Sequence, residues 1–154
     1  MAPRYEFVDE WDVHAPIDAV FAALSDATTY PRWWRPVYIS VESETPSGEG
    51  NVSEQHFKGK LPYTLRQTST ITRYEPPTRF DVDVVGDLTG HGTWILADRD
   101  GVVHVRFEWT INADKPLIRL LTPVLRPLFR WNHAYAIARA IAGLEPYAQA
   151  RVGA

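Results

Sequence analysis

The 154-residue sequence predicts an α+β fold in which a curved seven-stranded antiparallel sheet wraps around a long C-terminal helix, with two short helices after the first strand. Three observations predict it. The segment "YEFVDEWDVHA" near the start alternates apolar and polar residues with the period of a strand. Six more strand-like segments come after the first helices, separated by Gly, Pro or Asp turns, and from Asp114 the chain reads as helical. Strands joined by short turns pair antiparallel, and helices kept to separate stretches of the chain give a layered α+β arrangement. Seven twisted strands make a sheet wide enough to curl, and a helix laid in its hollow need not fill it, which leaves a cavity.

Each element follows from its own residues. In the first strand Tyr5, Phe7, Trp11 and Val13 share the apolar parity, against Glu6, Glu10, Asp12 and His14. Pro16 opens a helix over "PIDAVFAALSD", where Ile17, Val20, Phe21 and Leu24 recur at helical spacing and the first turn tolerates a proline. The segment "TTYPRWWRP" is a second short helix or helical turn bounded by Pro31 and Pro36. Strands are then expected in "VYISVES", "NVSEQHFKG", "YTLRQTSTITRYE", "RFDVDVVG", "GHGTWILAD" and "VVHVRFEWTIN". Asp98, Arg99, Asp100 and Gly101 form a hairpin turn between the last two. The C-terminal helical stretch is expected to be interrupted at Pro123 and Pro127, because each proline removes a backbone hydrogen bond and bends the helix.

The length suits one well-cored domain spanning residues 1–154. A net charge of −3 gives no basic excess for nucleic acid, so no nucleic-acid partner is expected. The absence of cysteine removes disulfides, thiolate nucleophiles and Cys-ligated zinc, and fits a reducing compartment. The start shows no basic segment followed by an apolar run, and nowhere do about 18 apolar residues follow one another. A soluble, cytoplasmic protein without stable membrane insertion is expected. Six Trp, seven Tyr and six Phe supply aromatic area suited both to a core and to the walls of a ligand pocket.

The pieces "VHAPIDAVFAALSDATTYPRWWRPV", "EPPTRF", "GHGTWIL" and "FRWNHAYAIARAIAGL" arrive in an order that resembles the START-like superfamily, also called SRPBCC or helix-grip proteins, in its polyketide cyclase/dehydrase branch. The resemblance runs from the first strand to Leu144. It implies a hydrophobic tunnel between the curved sheet and the last helix, and a hydrophobic small-molecule ligand such as a lipid, a quinone or an aromatic polyketide. It supplies no shared catalytic motif, since that superfamily includes carriers, cyclases and chaperone co-factors.

No HExxH or comparable spacing of His with carboxylates is present, so no metal is expected, and no GxSxG, GxGxxG or P-loop points to covalent or nucleotide chemistry. No cofactor is expected. His14 and His104 fall on the polar parity of their strands, which is a solvated face. His56 shares its face with Glu54 and Lys58 and is expected to be exposed. His91 lies between two glycines and is expected in a turn or bulge rather than at a cavity mouth. In the last strand Phe107 and Trp109 share the inward parity with Val103, Val105 and Ile111, which puts Arg106 and Glu108 outside.

In "YTLRQTSTITRY" the parity has two solutions. If Leu65 and Ile71 point inward, Tyr63, Gln67 and Ser69 share their face and form an inward polar patch; water or neighbouring groups satisfying the hydroxyls is the alternative. Trp94 lines the pocket or caps its end, and of the pair Trp33 and Trp34 one is expected at the pocket edge, with Trp34 chosen for the site.

The helix "FRWNHAYAIARAIAGL" carries Asn132 and His133 side by side. At about 100° per residue, Asn132 falls near Leu128 and Tyr135, taken as the face that meets the sheet, while His133 swings toward Arg126 and Arg130 at the flank unless the bend at Pro127 rotates it inward. Arg119, Arg126 and Arg130 share a face opposite leucines, which reads as a solvated basic face rather than a membrane-lying helix. The expected ligand-binding set is therefore Trp34, Tyr63, Gln67, Trp94, Phe107 and Trp109 from the sheet side, with Leu128, Asn132 and Tyr135 from the helix.

Three functions fit these residues. A binding protein or carrier for a hydrophobic molecule is expected first. A cyclase or dehydratase would use Asn132, Tyr135, Gln67 and Tyr63 as acid, base or positioning groups in the cavity, where desolvation moves a pKa toward neutrality. A protein-interaction module would work through its surface and show a filled core with an exposed apolar patch.

Overall fold

The computed structural model describes residues 4–45, 48–58, 64–112 and 116–152. Seven strands form one antiparallel sheet: β1 (Arg4–Val13), β2 (Tyr38–Glu42), β3 (Val52–Phe57), β4 (Leu65–Glu75), β5 (Arg79–Gly86), β6 (Thr89–Arg99) and β7 (Val102–Asn112). Helix α1 (Ile17–Ser25), a 3₁₀ turn (Ala27–Thr29) and α2 (Tyr30–Trp33) lie between β1 and β2, and α3 (Pro116–Val152) closes the chain. The strand order is β1-β7-β6-β5-β4-β3-β2, so the consecutive strands β2 to β7 are hairpin neighbours and β1 joins the free side of β7. This is the curled helix-grip arrangement that the strand periodicity and the short turns dictate.

The local rules are visible where the chain turns. Asp100 and Gly101 both have positive φ, 55° and 87°, between the paired residues Arg99 and Val102, which is the two-residue turn that follows the twist of a hairpin. Asp26 ends α1 and accepts from Thr28 N at 3.1 Å, so one side chain starts the 3₁₀ turn. Helix α3 is assigned without a break through Pro123, Pro127 and Pro146, against the expected interruptions. Each proline removes only the one bond its own N–H would make, and the turns on either side continue the helix.

The core fills one end of the hollow. Trp11 and Val13 of β1, Leu96 of β6, and Val103 and Val105 of β7 meet Val20, Phe21 and Leu24 of α1 and the Ile137, Ala140, Leu144 and Ala148 stripe of α3. A smaller cluster, Tyr5 and Ile111 with Phe7, Leu88 and Trp109 against it, closes the other end. The end of α3 is hooked onto the turn after β1: His14 N donates to Glu145 Oε1 at 2.7 Å and Gln149 Nε2 donates to His14 O at 2.8 Å. The His14 backbone bond, with the imidazole beside it, holds the Glu145 carboxyl below its ordinary range.

Among the described residues no helix is long and apolar enough to cross a membrane. The side chains of Arg119 and Arg126 lie outside the described residues, and Arg130 is exposed.

Candidate functional site

Between the two apolar clusters the sheet and α3 enclose a cavity of about 120 Å³. One water needs only about 10–15 Å³ by the same measure, so this is a chamber rather than a packing defect. Its back wall is aromatic. Phe80 of β5, Trp94 of β6 and Phe107 of β7 are direct cross-strand partners on the concave face, so their rings must stack. Phe80 and Trp94 lie 6.0 Å apart at 15°, Trp94 and Phe107 4.0 Å apart at 16°, and Phe107 and Trp109 5.8 Å apart at 22°. Gly92, opposite Trp109, makes the ladder possible, because a Cβ there would sit 2.9 Å from the Trp109 ring and 3.2 Å from that of Phe107.

The two tryptophans after the first helix divide their work. Trp34 lines the cavity and donates its Nε1–H to Ala136 O of α3 at 2.8 Å. Trp33 does not line it; its Nε1–H donates to Thr29 Oγ1 at 2.9 Å and its backbone presses on Gly143. Tyr30 and Tyr38 border the same space, and burial pushes both phenols above their ordinary range, so they stay neutral.

One flank is polar. The inward parity of β4 is the one that carries Gln67, Ser69 and Ile71, all buried, and β3 faces it with Ser53 and Gln55. Ser53 pairs with Ser69 and Gln55 with Gln67 across the ladder. Gln67 Nε2 donates to Gln55 Oε1 at 2.8 Å, and Gln55 Nε2 donates to Ser53 Oγ at 3.0 Å. Gln67 Oε1 is buried and has no hydrogen-bond partner among the described residues.

The opposite flank corrects the helix expectation. His133 lines the cavity, with Nε2 2.7 Å from Asp9 Oδ2 and its ring stacked on Phe7 at 3.9 Å and 20°. Asn132 and Tyr135 are half-buried and are not among the residues lining the cavity. The buried stripe Ile137, Ala140, Leu144 and Ala148 sets the inward face of α3, and stepping back four residues from Ile137 reaches His133, not Asn132. The expectation took its phase from Leu128, whose side chain lies outside the described residues, as Tyr63 does altogether.

Of the other histidines, His14 sits in the turn after β1 against the end of α3, and His56, His91 and His104 stand on the convex side of the sheet. His91 is a strand residue of β6 paired with Asp83, not a turn residue; its Nδ1 lies 2.6 Å from Asp83 Oδ1 and its Nε2 3.5 Å from Asp81 Oδ2. The flanking Gly90 and Gly92 serve close packing inside the strand, so they do not mark its end. His56 is half-buried rather than exposed, with Nε2 shielded and unpartnered, but the cavity side of β3 belongs to Ser53, Gln55 and Phe57. Of the expected set, Trp34, Gln67, Trp94, Phe107 and Trp109 are brought together around one space. Sequence reasoning missed Asp9, Ser53 and Gln55, and set His133 at the flank unless a bend at Pro127 turned it inward. Asp9 had a signal: it sits on the apolar parity of β1, where a carboxylate needs a partner.

Residues 4–148 match the family described as polyketide cyclase/dehydrase and lipid transport. Among solved structures the fold is similar to TTHA0849 from Thermus thermophilus, with TM-score 0.82, 18% identity and 96% of this chain and 99% of that one covered. It is similar to the Zhui aromatase/cyclase from Streptomyces sp. R1128, with TM-score 0.76, 16% identity and 97% and 96% covered. It is also similar to Ara h 8.0201, with TM-score 0.64, 16% identity and 95% and 98% covered. No curated protein matches the sequence.

Proposed function

The chain belongs to the polyketide cyclase/dehydrase and lipid transport family, and on that premise we propose that it binds a planar hydrophobic molecule, of the aromatic-polyketide or quinone kind, in the cavity between sheet and α3. The observation that carries the proposal is the ladder of near-parallel rings Phe80, Trp94, Phe107 and Trp109. Offset-stacked aromatic pairs gain about 0.5–1.5 kcal/mol beyond their area burial, and a flat ligand extends such a ladder where a flexible acyl chain does not. A filled core would have favoured an interaction module; the chamber favours a ligand.

A second reading, acid–base turnover of the bound molecule, is favoured by the Asp9–His133 pair. The carboxylate fixes one imidazole nitrogen, and the other nitrogen of a cavity-lining ring is available to take or give a proton. One experiment tests both. The purified protein is incubated with a panel of fatty acids, quinones and aromatic polyketides and examined by native mass spectrometry, with the extracted ligand checked for chemical change. One-to-one retention of aromatic members, lost in Trp94→Ala, is expected. Turnover, if present, is lost in His133→Ala and Asp9→Asn while retention survives. Retention of fatty acids alone, or of nothing, would overturn the binding proposal.

A further inference from the structure

The polar flank of the cavity has a direction, and that direction selects a ligand. Gln67, Gln55 and Ser53 are 8%, 6% and 2% exposed, so water does not compete for them freely. The chain of bonds runs one way, Gln67 Nε2 to Gln55 Oε1 and Gln55 Nε2 to Ser53 Oγ. In this arrangement the Gln67 amide nitrogen is spent on Gln55 and its carbonyl oxygen is the atom left over. Gln67 Oε1 is a buried acceptor without a hydrogen-bond partner among the described residues, on a side chain that lines the cavity. A buried acceptor left unpaired is destabilising, and a donor delivered by a ligand relieves it.

We infer that the β3–β4 flank is a hydroxyl-reading subsite: the ligand of the proposed cavity carries a neutral O–H, phenolic or enolic, that donates to Gln67 Oε1. The inference rests on the binding reading above and names its ligand more narrowly. A cationic amine is disfavoured because no carboxylate is among the described residues lining the cavity. A carboxylate is disfavoured because it would set acceptor against acceptor. An ether or a bare ring fits the aromatic wall but leaves Gln67 Oε1 orphaned. A site built to bond a hydroxyl rejects an analogue without one far more strongly than an apolar pocket rejects a missing methylene.

The probes are 2-naphthol, 2-methoxynaphthalene and naphthalene, titrated into the full chain by calorimetry. Wild-type protein is expected to bind 2-naphthol at least tenfold more tightly than 2-methoxynaphthalene. Gln67→Leu is expected to bring the two to within twofold, and naphthalene still binding to it shows that the variant is folded. Gln67→Met serves in place of Gln67→Leu if naphthalene binding is lost. Equal or tighter binding of the ether by the wild type overturns the inference whatever the variants do, as does a hydroxyl preference that survives in the folded variant. Failure of all three probes to bind overturns the pocket reading itself, whereas equal binding of all three overturns the hydroxyl assignment alone.

Discussion

Asp9 and His133 meet at 2.7 Å although 124 residues separate them, and the sequence marks only Asp9, by its place on the apolar parity of β1. A His in an alanine-rich helix is an ordinary residue; it is the placement of both side chains on inward faces that makes them a pair. His104 is the contrasting case on the convex face, with Nε2 3.0 Å from Glu10 Oε1 and Nδ1 2.9 Å from Asp12 Oδ1. The bond to Glu10, then that to Asp12, raises the imidazole above its ordinary value of 6.5, and the bond from His104 is the largest cause lowering Glu10 below 4.5. The stabilisation from His104 is present below its unfolded value and is lost as pH rises through the raised one. That from Glu10 is present above its unfolded value and is lost as pH falls through the lowered one. The stability gap between wild type and His104→Ala should therefore be widest between about pH 4.5 and 6.5 and close above neutrality, as read from urea midpoints. A gap that stays constant from pH 5 to 9 would remove His104 from the account.

The strands were legible as elements because a half-buried strand writes its inward face into the sequence with a period of two. Gln67 and Ser69 followed from that rule once Ile71 turned inward, and Phe107 and Trp109 came with it, whereas Trp94 sits on a strand with apolar residues on both faces. Helix α3 was less legible, because its 37 residues have apolar side chains on more than one face and the period of 3.6 gives a phase only when an anchor is known. The anchor is α2. Gly143 lies so close to Trp33 that a Cβ would fall 1.7 Å from its carbonyl oxygen, and Arg139 Nε donates to Arg35 O at 2.7 Å one turn away. Together with the Trp34–Ala136 bond these contacts fix both the rotation and the depth of α3. Gly143→Ala should therefore destabilise the protein even though alanine gains about 1 kcal/mol of helix propensity. Overpacking costs about 1–3 kcal/mol and the obstacle is backbone, so a net loss of about 1–2 kcal/mol is expected in chemical denaturation. An unchanged or raised midpoint would mean that α2 and α3 do not dock this closely.

At the scale of the whole molecule the two apolar clusters support the ends of a chamber, and the chamber leaves stabilising contacts unmade. A ligand that fills it binds only the folded chain and stabilises by mass action, by about 2.7 kcal/mol at one hundred times its dissociation constant. For a chain of this length that corresponds to a rise in Tm of about 5–10 °C, growing with the logarithm of ligand concentration. Differential scanning calorimetry with 2-naphthol checks it, and a Tm indifferent to a probe that calorimetric titration shows to bind would place the binding outside the folded cavity.

The amino-acid order alone was enough for the strand sequence, the antiparallel pairing of strands joined by short turns and the inward parity of β1 and β7, because each depends on neighbours within one strand or one turn. The contents of the site's two polar flanks depended on tertiary packing. Whether Gln55 meets Gln67, and whether Asn132 or His133 faces the hollow, is set by the register of one strand on another and by the rotation of α3 against α2. Those are relations between distant segments, and no local period carries them.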